Sequence, residues 1–304
     1  MKKILAATLV LLSLTQAHAQ KNNAAKNLSD PESFINPRFT EIKTDTAVKF
    51  ADVTDYKGQK ISLLCDIYQP SGDNSASRPV IVWIHGGGFR TGSKRTQNYV
   101  VHYSQDFAKR GFVCISIDYR LRDPKDLPDR AAELPALMDA ARDANTAIEW
   151  VRKNSKKYRI DTDHIFVAGG SAGGRTAITV AEFPGPDPSA RYKPETEFTS
   201  KKWNKKGIIA AAILWGGPEK EMRDWVYPYL NKKSIPAVII HGDSDKTIPV
   251  QNSIDLNDAM QKADITTELH ILPGAAHTPV GKTTDPLIED WTARFFVNEW
   301  KKKL

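Results

Sequence analysis

The sequence predicts an α/β fold in which one mostly parallel, eight-stranded sheet carries helices on both faces and opens with an antiparallel N-terminal hairpin. Three observations predict it. Short runs that are apolar at nearly every position, such as Pro79 to Ile84 and Phe112 to Asp118, have the composition of strands buried on both faces. Longer stretches between them, such as Leu137 to Lys153, repeat their apolar residues at helical spacing. The alternation continues to the end of the chain without an internal repeat, the order of a single α/β domain.

Taken in order, Met1-Lys2-Lys3, the apolar run Ile4 to Leu14 and Ala17-His18-Ala19 have the charged, apolar and small-residue parts of a secretory signal, with cleavage before Gln20. The apolar run is shorter than the roughly 20 residues a spanning helix needs, so no stable membrane span is expected after cleavage. Export to the periplasm or beyond is the expectation. Residues 20–40, polar and interrupted by Pro31 and Pro37, read as a flexible lead-in, and residues 41–304 as one domain.

Within that domain, Ala47 to Tyr56 and Lys60 to Tyr68 flank the turn Lys57-Gly58-Gln59 as a hairpin. Further strands are expected at Pro79 to Ile84, Phe112 to Asp118, His164 to Ala168, Ile208 to Trp215, Pro236 to Ile240 and Glu268 to Leu272. Helices are expected at Gln97 to Arg110, Leu137 to Lys153, from about Ala172, at Val250 to Lys262 and at Pro286 to Trp300. Two connections, Phe183 to Gly207 and Gly216 to Ile235, exceed the minimal strand-to-helix length and are expected to sit over a site. Pro184, Pro186, Pro188 and Pro194 argue against a continuous helix in the first, and Trp203, Trp225, Tyr227 and Tyr229 offer flat surfaces to a ligand or simple packing.

The 304 residues, 40% hydrophobic and 26% charged, are enough for one large core and exclude disordered and fibrous classes. Loss of the leader removes Lys2 and Lys3 and no acid, which lowers the formal charge of +7 by two. The lysine clusters at 201–206 have little aromatic interleaving and no nucleic-acid motif beside them, so no nucleic-acid partner is expected. Lys301 to Lys303 suit the negative end of a C-terminal helix. Cys65 and Cys114 lie in strand-like runs and are either two buried thiols or one bridge. No cysteine or histidine pair has ligand spacing, so no metal site is expected.

Gly169-Gly170-Ser171-Ala172-Gly173 is a Gly-x-Ser-x-Gly between an expected strand and an expected helix. A tight turn there lifts the serine hydroxyl above the sheet, and small neighbours let the backbones approach. A serine hydroxyl becomes a nucleophile when an imidazole takes its proton and a carboxylate orients that imidazole. Downstream of Ser171 stand His241, His270 and His277. His241 leaves little room for a preceding acid and His270 is held within a strand, whereas His277 follows Pro273-Gly274-Ala275-Ala276 in a loop able to reach the serine. Asp243 and Asp245 both follow the strand ending at Ile240, and spacing leaves them as alternatives. His85-Gly86-Gly87-Gly88, directly after the strand ending at Ile84, fits a set of backbone donors for a developing oxyanion. A phosphate loop is disfavoured because Gly-x-Gly-x-x-Gly and a Walker lysine are absent.

These motifs, with His85-Gly86-Gly87-Gly88-Phe89, Asp118-Tyr119-Arg120-Leu121 and His241-Gly242-Asp243-Ser244-Asp245, resemble the carboxylesterase branch of the α/β-hydrolases, and within it the hormone-sensitive-lipase-like and feruloyl or acetyl esterase-like enzymes. The resemblance runs from about Ala47 to the C-terminus. It implies the α/β-hydrolase fold, a catalytic triad of Ser171, Asp245 and His277, an oxyanion hole from the amides of Gly87, Gly88 and Ala172, and no cofactor. It favours Asp245 over Asp243. It also implies hydrolysis of a carboxylic ester through an acyl-serine, with small-molecule or polysaccharide esters as substrates. Arg175, just past the nucleophile, departs from the small or apolar residue expected there. A peptidase of prolyl-oligopeptidase type usually carries a large extra domain for which this chain has no room, and a silent ligand-binding homologue typically lacks a triad member, whereas all three positions are filled here.

Overall fold

A strand buried at every position needs cover on both sides of its sheet, and Arg78–Ile84 is buried throughout. In the computed structural model, which describes residues 30–129, 131–182 and 204–304, this is β3 of an eight-stranded sheet. The strands are β1 (Ile42–Thr54), β2 (Lys60–Pro70), β3 (Arg78–Ile84), β4 (Val113–Ile117), β5 (Ile160–Gly170), β6 (Ile208–Leu214), β7 (Ala237–Gly242) and β8 (Thr267–Leu272). Their order is β1-β2-β4-β3-β5-β6-β7-β8. β1 with β2 is antiparallel, the hairpin that the sequence predicts; β2 with β4 is antiparallel as well, and every other pair is parallel, which makes the sheet mostly parallel as expected.

The helices are α1 (Asn98–Lys109), α2 (Glu133–Lys153), α3 (Ser155–Tyr158), α4 (Ala172–Glu182), α5 (Lys220–Val226), α6 (Gln251–Lys262) and α7 (Asp285–Lys301). Side-chain alternation along β3 feeds two cores: Val80, Val82 and Ile84 join residues of α2, α4, α5 and α6, while Ile81 and Trp83 join residues of α1 and α7. The helix α2 starts at Glu133 rather than the expected Leu137. Pro135 sits in its first turn, where the N–H that proline lacks has no intrahelical acceptor in any case.

The expected flexible lead-in needs correction over its described part. Pro31–Phe34 form a 3-10 turn, and Phe34 is buried with its ring centroid 5.2 Å from that of Phe112 and 5.0 Å from that of Trp300. An aromatic side chain docked in the α1/α7 core ties this segment down; residues 1–29 lie outside the described residues.

Cys65 and Cys114 are both free and buried. In the antiparallel pairing of β2 with β4, Cys65 faces Ile117 and Cys114 faces Tyr68, an odd offset that sends the two thiols into different cores on opposite faces. Burial pushes the Cys65 thiol up to about 12 and raises that of Cys114 as well.

Of the two long connections, the first falls at 183–203 largely outside the described residues, and Trp203 and the Trp225 side chain lie outside them too. The second contains α5 and a 3-10 turn, Tyr227–Tyr229. Tyr227 lines a separate cleft of about 590 Å³ with Arg223, Asp255 and Lys262 against α6, away from Ser171. What this connection brings to the serine is Glu219, through Arg175.

Candidate active site

Ser171 occupies the single residue between the end of β5 and the start of α4, with φ of +56°. A non-glycine residue in this region is strained, and the strain is held by the Ser171 N–H donating to Leu214 O at 2.9 Å and Ser171 O accepting from Arg175 N at 3.0 Å. The turn closes because Gly173 lies against β3: a Cβ there would stand 2.1 Å from Ile84 O. The spacing of small residues in the motif is thus the imprint of one helix start pressed onto the neighbouring strand.

The other two residues arrive from the C-terminal ends of β7 and β8, the end of a parallel sheet where loops gather a site. His277 Nε2 is 2.9 Å from Ser171 Oγ, and His277 Nδ1 is 2.6 Å from Asp245 Oδ2. Asp245 Oδ1 accepts from the amides of Thr247 at 2.7 Å and Ile248 at 3.0 Å. Burial raises the Asp245 carboxyl, but these three bonds and the nearby imidazole outweigh it and leave it below the ordinary carboxylate value. The group therefore stays ionised and can hold His277 with Nδ1 protonated and Nε2 free to accept the serine proton.

The rival residues take other places. Asp243 Oδ1 accepts from Gly274 N at 2.7 Å, so it buttresses the loop that carries His277 and does not pair with its imidazole. His270 stacks on Trp291 with ring centroids 4.3 Å apart and lies 3.3 Å from Glu268 Oε2. His241 is buried at the end of β7, 2.9 Å from Asp245 Oδ2.

Ser171 and His277 open on a cavity of about 330 Å³ whose wall includes Gly86, Gly87 and Gly88. Gly87 has φ of +105°, and a Cβ on it would stand 2.0 Å from Thr91 O, so only glycine fits. Ala172 is the first residue of α4, where a helix N–H has no intrahelical acceptor. The three expected oxyanion donors thus flank the serine on two elements, the loop after β3 and the start of α4.

That loop is braced by side chains to which the sequence assigns no role. Tyr119 Oη donates to His85 O at 3.0 Å and Gly86 O at 3.1 Å, and its ring stacks on His85 at 4.1 Å between centroids. His85 is buried and its Nδ1–H donates to Gly86 O at 2.7 Å; burial pushes its imidazole down to about 4. Tyr99 Oη lies 3.2 Å from both Gly170 N and Gly170 O. In the motif containing Tyr119, Asp118 accepts from Lys94 N and Nζ, and Arg120 pairs with buried Asp143, so its neighbours lock the scaffold.

Arg175, the residue out of pattern, lines the cavity with Arg90. Its Nη1 donates to Glu133 Oε2 at 2.7 Å and Glu219 Oε2 at 3.0 Å, and its guanidinium lies 5.0 Å from the Phe89 ring centroid. Arg90 Nη1 donates to the other Glu133 oxygen at 2.9 Å and to Gly88 O at 3.1 Å. An ion-pair bridge therefore runs from α4, the helix that follows Ser171, through α2, to the glycine loop.

Among the described residues, one group has donors a cation could use: His102 and Asp106 on α1 with Glu289 on α7, whose ligand atoms lie within 4.8 Å of one another. It had no Cys or His pair to reveal it. Lys109 and Arg110 already donate to Asp106 and Glu289.

The family model described as BD-FAE matches residues 65–226, more than half of the chain. The chain belongs to the BD-FAE family. This places it in the carboxylesterase branch of the α/β-hydrolases, the fold seen here. Esterase LipC of Mycobacterium tuberculosis is 26% identical over 244 residues, which cover 72% of this chain and 58% of LipC. The bile salt-activated lipase of Rattus norvegicus is 32% identical over 159 residues, covering 49% of this BD-FAE chain and 26% of the lipase. The chain thus spans between a quarter and three fifths of the length of these two relatives. Among solved structures, the thermophilic esterase Est2 of Thermogutta terrifontis with propionate bound is 25% identical, with a TM-score of 0.62, over 86% of this chain and 96% of its own. A truncated carbohydrate esterase from gut microbiota is 20% identical with a TM-score of 0.67, over 88% and 99%, a likeness of fold. Among the described residues, no helix is long and apolar enough to cross a membrane.

Proposed function

We propose that the protein is an exported serine hydrolase of carboxylic esters, and that it acts on short-acyl or hydroxycinnamoyl esters of carbohydrates. The observation that carries the reading is the continuous chain Ser171 Oγ, His277, Asp245, with contacts of 2.9 and 2.6 Å, opening on a cavity walled by Gly86 to Gly88.

Ser171 Oγ attacks the ester carbonyl carbon while His277 Nε2 takes its proton, and Asp245 stabilises the imidazolium. The carbonyl oxygen becomes an oxyanion that accepts from the amides of Gly87, Gly88 and Ala172; one such donor is typically worth about 2.7–4 kcal/mol. Collapse breaks the bond to the alcohol, which leaves with the proton from His277 Nε2. Water, deprotonated by His277, then attacks the acyl-serine and releases the acid and the free hydroxyl of Ser171. Every step is a proton or acyl transfer between named atoms, and the relatives called esterase and lipase support the class.

Support for a carbohydrate ester is the character of the cavity, where Arg90, Gln97, Arg175, Thr247 and Thr278 place polar groups around the serine. A long acyl chain would need a broad apolar wall. Support for export is the charged, apolar and small-residue order of the first 19 residues.

The test compares nitrophenyl acetate and nitrophenyl palmitate with acetate and ferulate release from acetylated and feruloylated polysaccharide, in wild type and Ser171→Ala. Turnover of the short ester and release from polysaccharide, both lost in Ser171→Ala, is the expected result. Palmitate cleavage with no release from either polysaccharide would overturn the carbohydrate reading, and undiminished Ser171→Ala turnover the serine mechanism.

A further inference from the structure

We propose that His241 is a positioning residue for the triad, locking the rotation of the Asp245 carboxylate through the same oxygen that accepts from His277. The proposal rests on the serine-hydrolase reading above and adds a residue that reading does not use.

His241 Nε2 lies 2.9 Å from Asp245 Oδ2 and 3.0 Å from Ile248 O, and both neighbours are acceptors. Nε2 must therefore carry the hydrogen. Burial lowers the proton affinity of the ring despite the adjacent carboxylate, so it is neutral and Nδ1 bears a lone pair. Ser253 Oγ, 2.7 Å from Nδ1 and fully buried on α6, supplies the matching hydrogen. The tautomer is fixed from both sides, which a ring that merely filled space would not require.

The geometry at Asp245 gives that tautomer a task. The amides of Thr247 and Ile248 both bond to Oδ1. With two backbone donors on Oδ1 and the loop-borne His277 alone on Oδ2, the two oxygens would be held unequally, and a small twist about the Cβ–Cγ bond that follows a movement of that loop would be opposed on one side alone. A second donor on Oδ2, fixed in the core, opposes the twist from the other side. His241 is such a donor, and because it is neutral it leaves the carboxylate's negative charge for His277; a lysine or arginine there would cancel part of it. Asp245 then has four donors in place, two on each oxygen, a full complement for a carboxylate. The hydrogen-bonded chain runs Ser253, His241, Asp245, His277, Ser171.

The test uses the full chain with nitrophenyl acetate as substrate. His241→Leu removes the donor and keeps much of the volume; His241→Gln keeps an N–H at the reach of Nε2. His241→Leu is expected to lower kcat about 10- to 100-fold, the scale of a misplaced catalytic group, with KM within about threefold. His241→Gln is expected to recover kcat to within about fivefold of wild type. In an Asp245→Asn background no carboxylate remains to position, so His241→Leu is expected to change kcat by less than about twofold there. Should His241→Leu not fold, Ser253→Ala serves, since it removes the hydroxyl that anchors the ring at Nδ1 while leaving the ring itself present; kcat then falls several-fold at constant KM. The proposal is overturned if His241→Leu, or Ser253→Ala in its stead, retains wild-type kcat, if His241→Gln is as impaired as His241→Leu, or if the losses at 241 and 245 multiply independently. Loss of wild-type turnover in Ser171→Ala checks the underlying reading separately.

Discussion

Glu133 Oε2 accepts from Arg175 Nη1 at 2.7 Å, with side chains 3% and 4% exposed, so α4, the helix that follows Ser171, is tied to α2 by a buried ion pair. The second Glu133 oxygen takes Arg90, which also donates to Gly88 O. One carboxylate thus links α4 to the proposed oxyanion loop.

Glu133→Ala is expected to destabilise the protein by about 3 kcal/mol, the lower end of the range for breaking a buried pair, because Arg175 keeps Glu219. Urea unfolding measures it, and kcat should fall as well, since Arg90 loses its anchor beside Gly88. A loss under about 1 kcal/mol would mean that the bridge holds nothing.

The two aspartates after β7 separate cleanly by substitution. Asp245→Asn removes the charge that holds His277 in its tautomer, and kcat is expected to drop by about 10⁴-fold. Asp243→Asn touches the bonds to Gly274 N and Ser244 Oγ, neither of them to His277, and should cost about tenfold or less through loosening of the His277 loop. Kinetics on a nitrophenyl ester decide it, and the opposite ranking would transfer the acid to Asp243.

Both thiols are expected to stay free even in an oxidising compartment, because Cys65 and Cys114 lie on opposite faces of the sheet. Burial keeps both protonated at neutral pH. A thiol reagent should find none in the native protein and both in denaturant, and reductant should leave Tm unchanged.

Acid should weaken the fold through His85. Its folded value is about 4 against an ordinary 6.5, so the folded state refuses a proton that the unfolded chain accepts. The contribution is fully present above about pH 6.5 and disappears as the pH falls towards 4, to a total on the order of 3 kcal/mol. Urea titrations at pH 8, 6 and 4.5 test this against His85→Gln, whose stability should fall less steeply with acid; parallel curves would refute it.

Much of this was legible because local chemistry and topology agree. Apolar runs alternating with amphipathic stretches set the succession of strands and helices along the chain, and the loop placement of His277 singles it out from His270, whose ring is committed to Trp291. Spacing left Asp243 and Asp245 open, because the choice depends on how one tight turn aims two side chains two residues apart. Arg175 looked misplaced because its partners, Glu133 and Glu219, lie 42 and 44 residues away in sequence. Tyr119 stands in a motif that carries the resemblance, but its role is not legible there, since a tyrosine just past a strand reads as packing until its hydroxyl is seen to meet two backbone carbonyls. Phe34 was hidden in the same way by the polar residues around it.

Tyr119→Phe tests whether that hydroxyl shapes the proposed oxyanion loop. Its loss leaves His85 O without its Tyr119 donor and Gly86 O with His85 Nδ1–H alone, inside a buried region where an unmet carbonyl costs about 1–3 kcal/mol. The ring remains and the stacking on His85 persists, so the loop should relax rather than unfold. Gly87 and Gly88 follow directly, and their amides would shift from the place where negative charge develops. Such a shift weakens the transition state more than the bound ester, whose neutral carbonyl is a poorer acceptor. The expected signature is a fall in kcat of about 10- to 100-fold with KM little changed. Tyr99→Phe serves as the contrast, because its hydroxyl meets Gly170 on β5, Ile84 O and the Gly86 backbone, and leaves the carbonyls of His85 and Gly86 to Tyr119. Steady-state kinetics on short esters read both variants, with thermal melts to confirm folding. If Tyr119→Phe raised KM and spared kcat, the loop would bind substrate and not the oxyanion.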